Sequence, residues 1–347
     1  MNRSLSVPLL TIAMPTYNRA GVLSIGLKGL RNVAEPFGNQ VEVVVSNNHS
    51  TDKTQQVLDA NSEWSQLRVV RPPKHLTGTQ HILWVGQNAG LAEFCWLMGD
   101  DDLVLPGGIA AVLEALARFP KVDYVLANYA CAPMAIRDAL ATSKRTAYVP
   151  SDQSLASGEG QTGTFPNLAA LVENSGWTIE SYTAIVGHVF RCKVWHDARI
   201  EAVVERAKSH FDTIENTFPH LMMLISVAGE KPVGFIREPC MLLGQGLQTP
   251  RSWPFIVAFR LRELIDCYAN LGVGRVQLSA FETAWLKRVG EILLHEPKWF
   301  FKLRPIRDRR GLLSSMLVAL GTRNYSTTQW FAVGFRRLRT VVTRPPL

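Results

Sequence analysis

The chain has 347 residues, is 47% hydrophobic and 19% charged, and carries a formal net charge of +8. This excludes a disordered chain, allows one large domain with additions or two domains, and points to an anionic partner such as a nucleotide, a phospholipid surface or nucleic acid. Five scattered cysteines without a CxxC pair argue against a disulfide frame or zinc site and for a reducing cytosol; no signal peptide and no spanning run of ~18 apolar residues is visible.

The first element is an apolar run, Leu9–Met14, ending in Pro15, Thr16 and Tyr17, and it reads as a buried strand. Asn18 is placed to cap a helix with Leu23, Leu27, Leu30 and Ala34 at helical spacing, which Gly26 and Gly29 weaken. Val41–Val45 is a valine-dense second strand; Ser46, Asn47 and Asn48 leave its end, and Ser50, Thr51 and Asp52 open another helix. Leu67–Val70 predicts a third strand and Gly78–Gly90 a helix carrying His81. Phe94–Met98 has strand length and breaks at Gly99 into Asp100, Asp101 and Asp102. Ile109, Val112, Leu113 and Leu116 give an amphipathic helix stopped by Pro120, and Val122–Asn128 is another strand. Such alternation predicts an α/β protein with a mostly parallel sheet covered by helices on both faces.

From Ala130 the pattern loosens. Residues 131–165 read as loop, Tyr182–Phe190 as a strand, Trp195–Lys208 and Asn216–Val227 as helices joined by a polar link at His210–Glu215, and Val233–Ile236 as a short strand. Beyond Arg251 only helical patterns remain. The expected divisions are 1–130, 131–250 and a basic helical extension, 251–347.

Right-handed crossovers put the loops after each strand on one edge. Pro15–Arg19, Ser46–Asp52 and Gly99–Asp102 then share a rim, offering hydroxyls, an arginine, amides and an acidic cluster. Three adjacent carboxylates repel one another, and a divalent cation, Mg²⁺ or Mn²⁺, is the natural compensation for hard oxygen ligands. The alternative is a solvated acidic turn capping the next helix. With the cluster facing the rim, Asp102→Asn is expected to remove metal-dependent chemistry and leave the melting temperature unchanged or higher.

The motifs PTYNR (Pro15–Arg19), VVVSNNHSTDKT (Val43–Thr54) and WLMGDDDLVLPGGI (Trp96–Ile109) resemble, in order and spacing, family 2 glycosyltransferases of the Rossmann-like GT-A fold. With Phe218–Leu221 downstream, the chain looks most like the abequosyltransferase-type branch, which adds sugars to bacterial surface polysaccharide units. The resemblance covers about the first 130 residues well and fades towards 250. It implies a nucleotide-sugar donor with Pro15, Thr16 and Tyr17 on the nucleotide, the Ser46–Asn48 turn (Asn47, Asn48) on base and ribose, and Asp100, Asp101 and Asp102 holding metal, diphosphate and sugar, the metal on Asp100 and Asp102; from the rim, Asp52 is a further candidate for the donor and Arg19 is placed to steady a phosphate or only a surface. It also implies a lipid-linked or polysaccharide acceptor and inversion of configuration. Many relatives carry acidic residues where this chain has Asn47 and Asn48. An asparagine can face cytosine N3 as readily as uracil N3–H, which leaves the base open.

Transfer also needs a base for the acceptor hydroxyl. Asp212 and Glu215 open a helix in the second half and are the candidates; the alternative is charge complementing the helix dipole. His220 reads as a buried structural histidine, and His49, His75 and His81 as structural or exposed. Trp177 and Tyr182 are placed to stack on a sugar or to sit in the core. Between Lys287 and Leu347 stand 13 cations and 3 acids, interleaved with Trp299, Phe300, Phe301, Trp330, Phe331 and Phe335. That describes a helix lying on the anionic inner face of the cytoplasmic membrane, or a helical cap with a basic face. No helix-turn-helix or RNA-binding signature supports nucleic acid. A nucleotidyltransferase would share the aspartates but would want a glycine-rich, cationic first loop that PTYNR lacks, and an inactive scaffold of the same fold is the non-enzyme reading.

Overall fold

The computed structural model describes residues 7–88, 92–143, 150, 155–196, 202, 205, 211–245, 254 and 256–295. The chain forms two compact units, one of Met1–Gln248 with Leu271–Val273, the other of Thr249–Asn270 with Gly274–Leu347.

The first unit opens with β1 (Leu10–Thr16), α1 (Ala20–Ala34), β2 (Val41–Asn47), α2 (Thr54–Asp59), β3 (Leu67–Val70), α3 (Gly78–Asn88) and β4 (Phe94–Leu97). The four strands stand in the order β3-β2-β1-β4, all parallel. Strands covered on both faces need continuous apolar runs, and β4 and all of β1 but Pro15 are buried along their length. Leu23, Leu27, Leu30 and Ala34 of α1 are fully buried. Gly26 and Gly29 are close approaches rather than blemishes: a Cβ at Gly29 would stand 2.6 Å from the Leu103 side chain. Gly86 likewise yields its place to the Trp195 ring.

β5 (Leu103–Val104), α4 (Gly108–Arg118), β6 (Tyr124–Pro133), α5 (Met134–Thr142), β7 (Gly163–Phe165), α6 (Leu168–Asn174), β8 (His188–Arg191), α7 (Ile214–Thr217), α8 (Pro219–Ala228) and β9 (Val233–Gln245) complete the unit. They continue the sheet as β4-β8-β6-β9-β5, with β7 on β9. β8, β5 and β7 run against the rest, so the sheet is mostly parallel.

The structure departs from the sequence reading in this half. Residues 134–142, expected as loop, are α5. Tyr182–Gly187, expected as strand, forms two 3₁₀ turns, so Tyr182 enters the core from a turn and donates or accepts at Ser175 Oγ, 2.5 Å away. The short strand expected at Val233–Ile236 runs 13 residues, because past a bulge at Asn128 its second half pairs with β6 and β5. Asn128 fills that bulge, donating to Ser157 O and Arg237 O and accepting from Tyr129 N. Only part of Trp195–Lys208 lies among the described residues, and Trp195 stands in a 3₁₀ segment, Cys192–His196.

The second unit contains a π-helical segment, Ile256–Arg260, then α9 (Leu261–Asn270) and α10 (Arg275–His295). Phe281 and Val289 are buried there, and Trp285 Nε1 donates to Val257 O. No helix among the described residues is long and apolar enough to cross a membrane. The sequence patterns at Leu312–Leu320 and at Phe331, Phe335 and Leu338 lie outside the described residues.

Candidate active site

Strand order reverses at β1, with β2 on one side and β4 on the other, and open α/β sheets bind ligands at such a point beyond the strands' carboxyl ends. A cleft of about 480 Å³ lies there. Pro15, Thr16, Tyr17 and Arg19 line it from the first loop, Asn48 from the second, and Gly99, Asp100 and Asp101 from the turn after β4. A third wall, missed by the sequence reading, is His75–Gly78 with His81 and Ile82. Its legible signal was Thr77 and Gln80, which bond each other's backbone amides reciprocally and open α3 as a capping box. Tyr17 is exposed at the cleft, with its ring 4.7 Å from that of His75.

The acidic turn has its own logic. A Cβ at Gly99 would stand 2.6 Å from Asp101 Oδ1 and 2.7 Å from Asp102 Oδ2, so glycine is needed here for close approach. Asp100 is 5% exposed and accepts from Thr16 Oγ1 at 2.7 Å. Arg19 Nη1 reaches Asp100 Oδ1 at 3.2 Å and Asp101 Oδ2 at 3.0 Å, so an internal cation already offsets part of the repulsion. Burial still pushes Asp100 up to about 6, against the pull of Thr16 and Arg19. Asp102 does not face the rim. It is 2% exposed, and its two oxygens accept from Gly99 N at 2.8 Å and Gly244 N at 3.3 Å. Burial, with Asp101 adding, raises its carboxyl.

The residues at this turn fit a divalent cation. Asp100 and Asp101 are hard oxygen donors on the cleft, and no donor among the described residues reaches Asp101 Oδ1. Among those residues no three His, Cys, Asp or Glu side chains converge as a ready cage. Two carboxylates completed by substrate phosphate and water is the arrangement Mg²⁺ favours.

The second loop uses its side chains differently. Asn48 Nδ2 donates to Leu76 O and Asn48 Oδ1 accepts from Leu76 N, so this residue pins the third wall. Asn47 is fully buried, bonded to Gln55 and to Ser50 N. Asp52 lies off the lining and accepts from Ala20 N at 3.1 Å, capping α1 from another loop; the Thr54 hydroxyl holds its carboxyl below the usual range. Asn18, expected as that cap, has φ of 52° and instead accepts from Thr51 N at 2.7 Å. Ser50 Oγ and Thr54 Oγ1 accept from Asn18 N and Arg19 N. Two adjacent loops satisfy each other's backbone, which local cap signatures in a sequence do not report.

Asp212 and Glu215 flank Thr213, the N-cap of α7, away from the lining. Asp212 Oδ1 accepts from Asn216 Nδ2 at 3.0 Å, and Asn216 O accepts from Thr79 Oγ1 in the first turn of α3. The acidic link is thereby tied to the third wall. Trp177 and Tyr182 are buried in the core with His188 and His220, whose rings stand 4.9 Å apart. His81 is buried, bonded to Ser46 Oγ at 2.8 Å and lowered to about 4 by desolvation, so it lines the cleft as a neutral ring.

The architecture is the GT-A fold. Two structures of S. aureus TarS, residues 1–349, share the architecture: one with a TM-score of 0.52 at 12% identity, covering 92% of this chain and 93% of that one. The other, in complex with UDP-GlcNAc, has a TM-score of 0.50 at 13% identity and covers 88% and 79%. Residues 11–162, less than half of the chain, match the model for glycosyl transferase family 2. It is also similar to the abequosyltransferase RfbV of Salmonella typhimurium, 26% identical over 103 residues, which is 29% of this chain and 31% of that protein. The matched stretch thus spans about a third of that relative's length.

Proposed function

We propose that this chain moves a sugar from a nucleoside-diphosphate donor to a lipid-linked or saccharide acceptor in bacterial surface-polysaccharide synthesis, with inversion and with Mg²⁺ or Mn²⁺. The observation that carries the reading is the pair Asp100 and Asp101 on the cleft at the strand-order reversal, with Asp101 Oδ1 free of donors from the described residues. Asp100 and Asp101 would hold the cation, and Asp102 would serve the turn. The ion supplies Lewis-acid neutralisation of the leaving diphosphate. Thr16 and Arg19 orient the carboxylates, Tyr17 and His75 offer ring surface to the nucleoside, and the first turn of α3 offers amides to an anion. Asp212 and Glu215 are the two candidates for the base that takes the proton of the acceptor hydroxyl, and Asp212 Oδ1 is held by Asn216 Nδ2.

The test is donor hydrolysis, which needs no acceptor. One of UDP-, CDP-, dTDP- or GDP-sugars should turn over with Mn²⁺ and stop with EDTA; absence of both turnover and binding across the panel would favour the scaffold. Asp212→Asn should depress transfer by roughly 10²–10⁴ and spare nucleotide affinity. Near-normal transfer in both Asp212→Asn and Glu215→Gln puts the base elsewhere.

We also propose that the basic segment associates with an anionic leaflet, bringing the cleft to a lipid-linked acceptor. Its support is the charge and aromatic pattern of the sequence. Truncation after Thr322 should release the protein from anionic liposomes at low salt while sparing donor hydrolysis; equal sedimentation of both forms refutes it.

A further inference from the structure

Arg137 is fully buried in the first turns of α5, in a stretch to which the site gives no role so far. Its Nη2 donates to Asp100 O at 3.0 Å and to Asp102 O at 3.3 Å. Its Nη1 donates to Asp138 Oδ1 at 2.8 Å and to Val22 O of α1 at 3.4 Å. The two turn carbonyls bracket the backbone that carries Asp101. Helix α1 leaves a slot for this group: a Cβ at Gly26 would stand 2.6 Å from Arg137 Nη2 and 3.2 Å from Asp100 O.

We propose that Arg137 is a positioning residue that straps the acidic turn to α1 and α5, so that Asp100 and Asp101 present their carboxylates to metal and diphosphate. The proposal rests on the metal reading of the cleft given above. Packing does not account for the residue. A buried guanidinium carries a desolvation cost, its Nε has no partner among the described residues, and a methionine would fill the space without either burden. What an apolar residue cannot supply is a donor shared by two carbonyls at once. The strap holds the turn by its backbone from behind, which leaves both carboxylates facing the cleft available.

The test uses the full chain, Arg137→Met, Gly26→Ala and the double variant, with hydrogen exchange and with calorimetry of UDP, CDP, dTDP and GDP in the presence and absence of Mn²⁺. Arg137→Met should speed amide exchange in Gly99–Val104 selectively. It should weaken Mn²⁺-dependent nucleotide affinity about 10- to 100-fold, the usual cost of losing an outer-shell partner, and leave metal-free affinity unchanged. Gly26→Ala should do the same by displacing the guanidinium, with a lower melting temperature from the clash. The double variant removes the clash with the guanidinium and leaves the 3.2 Å approach to Asp100 O: it should regain part of the thermal stability but not Mn²⁺-dependent affinity. Recovery of that affinity in the double variant, or exchange and affinity in Arg137→Met equal to the unsubstituted chain, overturns the strap. Should Arg137→Met fail to fold, Gly26→Ala, which keeps the arginine, decides the matter: Mn²⁺-dependent affinity and Gly99–Val104 exchange equal to the unsubstituted chain overturn the strap. If the unsubstituted chain binds nucleotide without regard to Mn²⁺, the metal reading itself falls, a result obtained before any variant is made.

Discussion

The asparagine loop after β2 and the aspartate turn after β4 stand at strand ends on either side of β1 and look equally polar in the sequence, yet they are held in opposite ways. Asn47 and Asn48 are occupied by Gln55, Ser50 and Leu76, so their side chains are structure. The aspartate turn is gripped through its carbonyls and through Asp102, which leaves Asp100 and Asp101 on the cleft. A polar residue at a rim is available to a ligand only when something else does the holding. This also bears on the base: with Asn48 bonded to Leu76 on both amide atoms, its orientation is fixed, and only its second N–H and second oxygen lone pair remain for a nucleobase.

The sharpest way to break this comparison is Asp101→Asn. Metal-dependent donor hydrolysis should fall roughly 10²-fold or more, since the cation is worth several kcal/mol to the transition state. Melting temperature should not move, because no fold-bearing bond ends on that side chain beyond its contact with Arg19. Hydrolysis unaffected by the change would take the cation away from this turn. Next comes Asp102→Ala, expected to lower stability by about 2 kcal/mol or more by leaving two backbone amides without an acceptor. A melting temperature equal to wild type would show Asp102 to be dispensable to the turn. Asn48→Ala should cost less, about 1 kcal/mol, and weaken donor binding several-fold as the third wall loosens. Binding by calorimetry and chemical denaturation separate the two effects.

The smallest effect is a pH dependence at residues that do not line the cleft. Desolvation holds His188 at about 4 and His220 well below its ordinary value of 6.5. Below pH 6.5 the unfolded chain therefore binds protons that the folded chain refuses, and stability is lost as pH falls towards 4. His220→Phe removes its share, so the variant should gain on wild type as the melting temperature is followed downward through that window. A gap independent of pH would mean that His220 is not held neutral.

The parallel half of the sheet was legible because doubly covered strands must be continuous apolar runs, and its helices repeat leucines at the right spacing. The rim at Pro15–Tyr17 and Gly99–Asp101 followed from strand ends and crossover handedness. The second half was not legible for stated reasons. α5 mixes Met134, Ile136, Arg137 and Leu140 without a clean stripe, because the residue it buries most completely is an arginine. The 3₁₀ turns at Tyr182–Gly187 bury aromatic and branched residues that also suit strands. The wall at His75–Gly78 carries no charge pattern beyond ordinary loop polarity, and its place at the cleft is a matter of tertiary position.

The bonds from Asn18, Ser50, Asp52 and Thr54 that join the first loop to the second have a practical consequence for chimeras. Exchanging residues 46–54 alone for those of a GT-A relative would strip Ala20 of its acceptor and unseat the start of α1. The smallest portable cassette is the pair of loops together, Pro15–Ala20 with Ser46–Thr54, and a graft that respects that seam should fold where a single-loop graft does not.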